Sequence, residues 1–157
     1  IMSPKSLLRN PAARSSLADL AEGSFQYVIG DTGPATAKTA KKVVLCTGKV
    51  YYDLVAARAE AGLEAEIPLI RIEQLYPLRE ADLFAAIEPY GASVPVVWVQ
   101  EEPENMGAWP FLRLKFGERI GPHASTFAGV ARAASASRAW PPSSSASCRF
   151  SGALLAG

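Results

Sequence analysis

The polar chemistry of this chain is concentrated in Gln100-Glu101-Glu102-Pro103-Glu104-Asn105-Met106-Gly107-Ala108-Trp109. The stretch follows an apolar run, residues 94–99. It precedes Trp109, Leu112, Phe116 and Ile120, which recur at helical spacing. The pattern reads as strand, polar loop and helix, with carboxylates where the strand ends. Alternating α/β chains bind ligands at the carboxyl ends of their strands. The same residues also read as an acidic, solvated loop with an Asn helix cap, and residue types alone do not separate the two. Glu101 and Glu102 are adjacent, so on an extended chain their side chains diverge, a poor start for a paired-carboxylate glycosidase.

Other catalytic groupings are thin. His123 is the only histidine, so serine and cysteine triads lose their usual base. Neither GxxxxGK[ST] nor GxGxxG occurs. Cys46 lies in an apolar run and reads as a buried core thiol, while Cys148 lies in a Ser-rich tail. With no CxxC pair and no Cys/His cluster, a structural zinc is not expected.

The elements that position the acidic stretch repeat its pattern. Residues 43–47 form a β-branched apolar strand, and Gly48-Lys49 turns the chain. Val50, Leu54, Ala57 and Ala61 then recur at helical spacing up to Gly62. Residues 67–72 form a second strand with Pro68 near its start, where a missing N–H is tolerated. Glu73-Gln74-Leu75-Tyr76-Pro77 follows as a loop. Leu83, Phe84 and Ile87 mark the next helix, closed by Pro89 and Gly91. Residues 25–29 and 125–128 are further strands, and residues 15–21 a short helix with Ser15 or Ser16 as cap and Gly23 as stop.

This alternation predicts a three-layer α/β fold with a mainly parallel sheet and crossover helices. The loops after three strands then share one edge. Lys49, Glu73, Gln74, Glu101, Glu102 and Asn105 are the candidate docking edge, with Lys49, Glu73, Glu101 and Glu102 expected to converge. Carboxylates gathered there repel unless cations face them. Arg71 is near in sequence but of unknown face, so cations from outside the chain are expected to complete the cluster.

At 157 residues, 49% hydrophobic and 20% charged, the chain is long enough for one soluble domain with a real core. A net charge of +1 does not call for nucleic acid. The charge is unevenly spread. Residues 51–104 carry three Lys/Arg against eleven Asp/Glu, and both flanks are basic. An acidic middle suits docking on something basic, or merely a solvated face. No apolar run approaches the roughly 18 residues of a membrane span, and no signal peptide stands at the start. Residues 1–24 are expected to be a lead-in with a short helix, residues 25–130 the α/β domain, and residues 131–157 a disordered tail. Of those last 27 residues, 15 are Ser or Ala and none is acidic. Deleting residues 138–157 is expected to leave the thermal midpoint nearly unchanged.

Four motifs in order carry a specific resemblance. They are Met2-Ser3-Pro4-Lys5-Ser6-Leu7-Leu8-Arg9, Thr47-Gly48-Lys49-Val50-Tyr51-Tyr52-Asp53-Leu54, Arg71-Ile72-Glu73-Gln74-Leu75-Tyr76-Pro77, and Gln100-Glu101-Glu102-Pro103 with Asn105 and Gly107-Ala108-Trp109. Over residues 2–137 the chain resembles the C-terminal domain of the thiamine-dependent component of 2-oxoglutarate dehydrogenase. The resemblance implies a transketolase C-terminal-like fold. It implies a parent homodimer that uses thiamine diphosphate and magnesium, decarboxylates 2-oxoglutarate and passes the succinyl group to the lipoyl-bearing succinyltransferase component. The implied compartment is the bacterial cytoplasm or the mitochondrial matrix. Implied partners of this domain are the preceding domains and the dimer partner, with neither nucleic acid nor membrane.

No catalytic, cofactor-binding or metal-binding residue carries over. Gly30-Asp31-Thr32-Gly33 lacks the second glycine and downstream Asn of the diphosphate motif, and the isolated chain is expected to be inactive. Ser135-Ala136-Ser137 is retained from the family ending, but Arg138-Ala139-Trp140-Pro141 replaces Pro-Ala-Thr-Gly. A reading-frame change near residue 138 would account for this, and the coding DNA tests it. A 2-oxoadipate dehydrogenase domain, or a small stand-alone enzyme using the carboxylate edge, are the alternative readings.

Overall fold

The computed structural model describes residues 5–134. The expected tail from residue 135 on, Cys148 included, lies outside the described residues. Helices α1 (Lys5–Arg9) and α2 (Leu17–Glu22) come first, then strand β1 (Val28–Ile29). β2 (Val43–Cys46), α3 (Val50–Ala61), β3 (Leu69–Ile72), α4 (Glu80–Ile87), β4 (Val96–Pro103) and α5 (Trp109–Phe116) alternate after it. β5 (Arg119–Ile120) and β6 (Ser125–Arg132) end the described chain.

The six strands form one sheet in the order β1-β3-β2-β4-β6-β5. The four central strands are parallel, and β1 and β5 pair antiparallel at the two edges. The sheet is therefore mixed. Residues 25–29 shrink to a two-residue edge strand, and Ile120 leaves the helix expected for it and enters β5. Gly117 ends α5 with a positive φ of 66°, so the chain reverses before Ile120 is reached. Ile120 is still buried, but from the sheet rather than from a helical stripe.

Strand alternation splits the core into two layers. Val43, Leu45, Ile70, Ile72, Val96 and Trp98 face Leu83 and Ile87 of α4 and Leu112 of α5. Val44, Cys46, Leu69, Val97 and Val99 face Val50, Leu54 and Ala57 of α3. Continuous apolar runs at 43–46 and 96–99 follow from this, since both faces of each strand are covered.

Local signals set the element ends. Ser16 caps α2 in a reciprocal capping box with Asp19. Gly62 takes the left-handed conformation that ends α3. Pro68 stands just before β3, and its carbonyl accepts from Val44 N at 2.9 Å. Neither α1 nor α2 buries a residue, and Leu8, Leu17 and Leu20 are exposed.

Candidate functional site

Two differently built surfaces share the carboxyl edge of the sheet. On the α3 face, Lys49 precedes the first turn of α3. Its Nζ lies 2.6 Å from Asp53 Oδ2 and 3.5 Å from Glu101 Oε1. Burial alone would depress the Lys49 ammonium, but Asp53 and Glu101 outweigh it and hold the pKa above the usual lysine value. Arg71, near the end of β3, donates from Nη1 to the Tyr52 hydroxyl at 3.1 Å and stacks 4.6 Å from the Tyr51 ring centroid. Its Nε forms an ion pair with Glu73 Oε1 at 2.7 Å without hydrogen-bond alignment.

The carboxylates of this face therefore meet cations of this same chain. Lys49 and Glu101 come together from β2 and β4, whereas Glu73 is engaged by Arg71. Glu73 and Glu101 thus each have a cation within this chain, Arg71 and Lys49, which the sequence expectation of outside cations did not foresee. Gln100, Glu101 and Glu102 also lie in β4 rather than in a loop. Pairing with β6 resumes at Pro103↔Arg132 after a register shift, which carries the strand through the acidic residues.

On the opposite face lies a cleft of about 330 Å³ between the end of β2 and the extended end of β4. Leu75, Tyr76, Ala108 and Phe111 supply apolar walls, with Trp98, Gln100, Glu102, Thr47 and Gly107 completing it. Thr47 has its hydroxyl committed to the Ile72 carbonyl at 2.7 Å. Gln74 donates to the Pro77 carbonyl at 3.0 Å and so shapes the loop that carries Leu75 and Tyr76. Asn105 lies in the turn between β4 and α5. Glu101 and Glu102 diverge to the two faces as alternation requires.

Gln100 holds this cleft together. Its Oε1 accepts from Trp98 Nε1 at 2.8 Å and from Trp109 N at 2.9 Å. Its Nε2 donates to Met106 O at 2.8 Å and Pro103 O at 3.1 Å. One buried amide thus fastens the whole turn to the strand, and sequence reading assigned it no role. Its two-residue spacing from Trp98 was the available signal, since both must share a face. Gly107 has φ +68°, and a Cβ there would meet the Gln100 amide at 2.9 Å. At Gly129 a Cβ would fall on the Trp109 ring, so this glycine of β6 lets Trp109 lie flat on the sheet.

The described residues do not fit the thiamine diphosphate–magnesium group. Asp31, in the only stretch resembling the diphosphate motif, has its two oxygens 2.7 and 3.4 Å from Arg58 Nη1 and Nη2. Among the described residues, no group of three His, Cys, Asp or Glu is placed to hold a metal ion.

A family profile described as "2-oxoglutarate dehydrogenase C-terminal" matches residues 14–147. The chain belongs to this family. The match runs beyond residue 137, where the motif resemblance stops. The chain is 47% identical over 138 residues to the 2-oxoglutarate dehydrogenase E1 component of Haemophilus influenzae, covering 88% of this chain and 14% of that protein. It is 43% identical over 134 residues to the mitochondrial 2-oxoglutarate dehydrogenase of Caenorhabditis elegans, covering 82% of this chain and 13% of that one. It therefore spans only about one-seventh of the length of these relatives. Among the described residues no helix is long and apolar enough to cross a membrane.

Proposed function

We propose that this chain is the C-terminal domain of a 2-oxoglutarate dehydrogenase E1 component, and that its carboxyl edge is a docking surface rather than a catalytic centre. The unit doing this is the α/β domain read as residues 25–130 and carried to Arg132 by β6, with residues 1–24 leading in and the rest trailing. In the parent enzyme, thiamine diphosphate and magnesium supply the decarboxylation of 2-oxoglutarate and the succinyl group goes to the lipoyl-bearing succinyltransferase. That places the parent in a multienzyme complex of the tricarboxylic acid cycle, in the bacterial cytoplasm or the mitochondrial matrix. The domain packs on the preceding domains, supports the homodimer and shapes the approach to a centre built elsewhere.

The observation that carries this reading is the form of the edge. Its hydrogen-bonding groups Thr47 and Gln100 are committed within the chain, while Tyr76 and Phe111 face solvent beside an apolar cleft. Apolar surface rimmed by polar groups marks an interaction site. The test is Glu101→Gln with Glu102→Gln in the intact enzyme. The expected result is weaker dimer or domain association, with turnover lost only as a consequence. Unchanged association and cofactor affinity with collapsed turnover would place the edge in the chemistry and end the docking reading. Calorimetry of the isolated chain with thiamine diphosphate and magnesium is expected to give no saturable heat.

A further inference from the structure

We propose that the cleft between β2 and β4 receives an arginine-type basic side chain from a preceding domain of the same enzyme chain. This rests on the docking reading above and names what docks. The cleft lies at the topological switch point of the sheet. β3 lies on one side of β2 and β4 on the other, and α3 and α5 cover opposite faces, so the sheet opens between β2 and β4 at their carboxyl ends.

The walls select the occupant. Leu75, Tyr76, Ala108 and Phe111 offer apolar and aromatic surface, and Tyr76 is 84% exposed. Gln100 and Thr47 have their side chains committed internally. Glu102 differs. Among the described residues no ion pair or side-chain hydrogen bond engages its carboxylate, whereas Asp53, Glu73 and Glu101 are each paired. A purely apolar side chain would desolvate that carboxylate without replacing its water, and an acidic one would be repelled. A guanidinium on an aliphatic stem meets both demands. The stem lies along the apolar wall, the planar head stacks on the rings, and its charge faces Glu102.

The source is chain that the longer relatives carry outside this domain. Residues 7–26 line a separate groove of about 740 Å³ on the α3 face, where Leu7, Asp19 and Leu20 face Gly48, Tyr52, Arg71 and Glu73, and none of them lines the cleft. The Haemophilus influenzae relative is matched over only 14% of its length, leaving ample chain to supply the segment.

The test is photo-crosslinking in the full-length enzyme with benzoylphenylalanine at position 76, and independently at 111 in case one position perturbs folding. The expected capture is intrachain, so the product runs at monomer mass on a denaturing gel. The captured peptide contains Arg or Lys and lies N-terminal to this domain. Glu102→Gln is expected to lower the yield by about fivefold. Capture of a peptide without a basic residue, an interchain product, capture of another protein, a yield indifferent to Glu102→Gln, or no capture from either position would each overturn the inference. If that happens while the Glu101/Glu102 substitutions still weaken association, the docking reading stands and only the occupant is wrong. If association is also unmoved, both fall.

Discussion

The two edges of the sheet each carry a charge cluster of different burial, with the exposed Lys41–Glu66 pair also at the amino edge. At the amino edge, Asp31 and Arg58 form a forked ion pair with side chains only 5% and 9% exposed. Arg58 also donates to the Ile67 carbonyl at 3.0 Å. Burial pushes the nearby Tyr90 phenol up, and the Asp31 charge adds to that. At the carboxyl edge, the Lys49, Asp53 and Glu101 side chains are about one-third exposed, and an apolar cleft lies open beside them. Charges withdrawn from water cannot be offered to a partner without stranding their mates. Charges left wet rearrange at little cost. The Asp31–Arg58 pair therefore serves the fold, and the carboxyl edge is free to serve an interface.

The strongest way to break that contrast is Asp31→Ala, which strands Arg58. It is expected to cost about 3–5 kcal/mol, read as a lower urea midpoint; a loss near zero would show the amino edge to be as wet as the other. Leu112→Ala, in the layer beneath the cleft, is expected to cost about 2–5 kcal/mol in the same measurement, because Leu112 is fully buried. Gln100→Leu should come next, at about 1–3 kcal/mol, since it leaves buried donors and acceptors of the turn unpaired. Hydrogen exchange should then quicken at the Met106 and Trp109 amides, and unchanged protection would show that the turn holds without it.

The smallest stability effect is expected at the open edge. Lys49→Met should change the unfolding free energy by no more than about 1 kcal/mol at neutral pH. The sign with pH is defined. Because folding raises the Lys49 pKa, its contribution is fully present below the ordinary lysine value and is lost as pH rises through the raised one. The gap between wild type and Lys49→Met should close in alkali and stay constant from pH 6 to 8. Cys46 marks how abruptly openness ends. One residue before Thr47, burial pushes its thiol from 9.0 to about 12, against a lesser pull from Arg71. A disulfide thiol reagent at pH 8 should leave Cys46 unmodified until the domain unfolds, and rapid native-state labelling would mean the edge breathes.

Much of this was legible in the residues. Apolar runs at 43–46 and 96–99 announced strands covered on both faces, because a strand with one wet face alternates. Gly62 announced the end of α3, because few other residues adopt its φ cheaply. The alternation of such elements required a parallel arrangement, and with it a shared carboxyl edge. The four motifs, in residues 2–9 and around Lys49, Glu73 and Glu102, were together enough to mark the family. Tertiary structure alone decided which face each edge residue serves. Pairing with β6, resumed after a register shift, carried Gln100, Glu101 and Glu102 into the strand and fixed which of the two diverging carboxylates faces α3. It also chose partners. Arg71 reached Glu73 rather than leaving it for another domain, Asp31 closed on Arg58 at the far edge, and Gln100 became the fastening of a turn. Hydrogen-bond geometry acts over a few ångströms, whether the partners are 27 positions apart as in Asp31–Arg58 or nearer, and sequence periodicity reports only which side of an element a residue occupies.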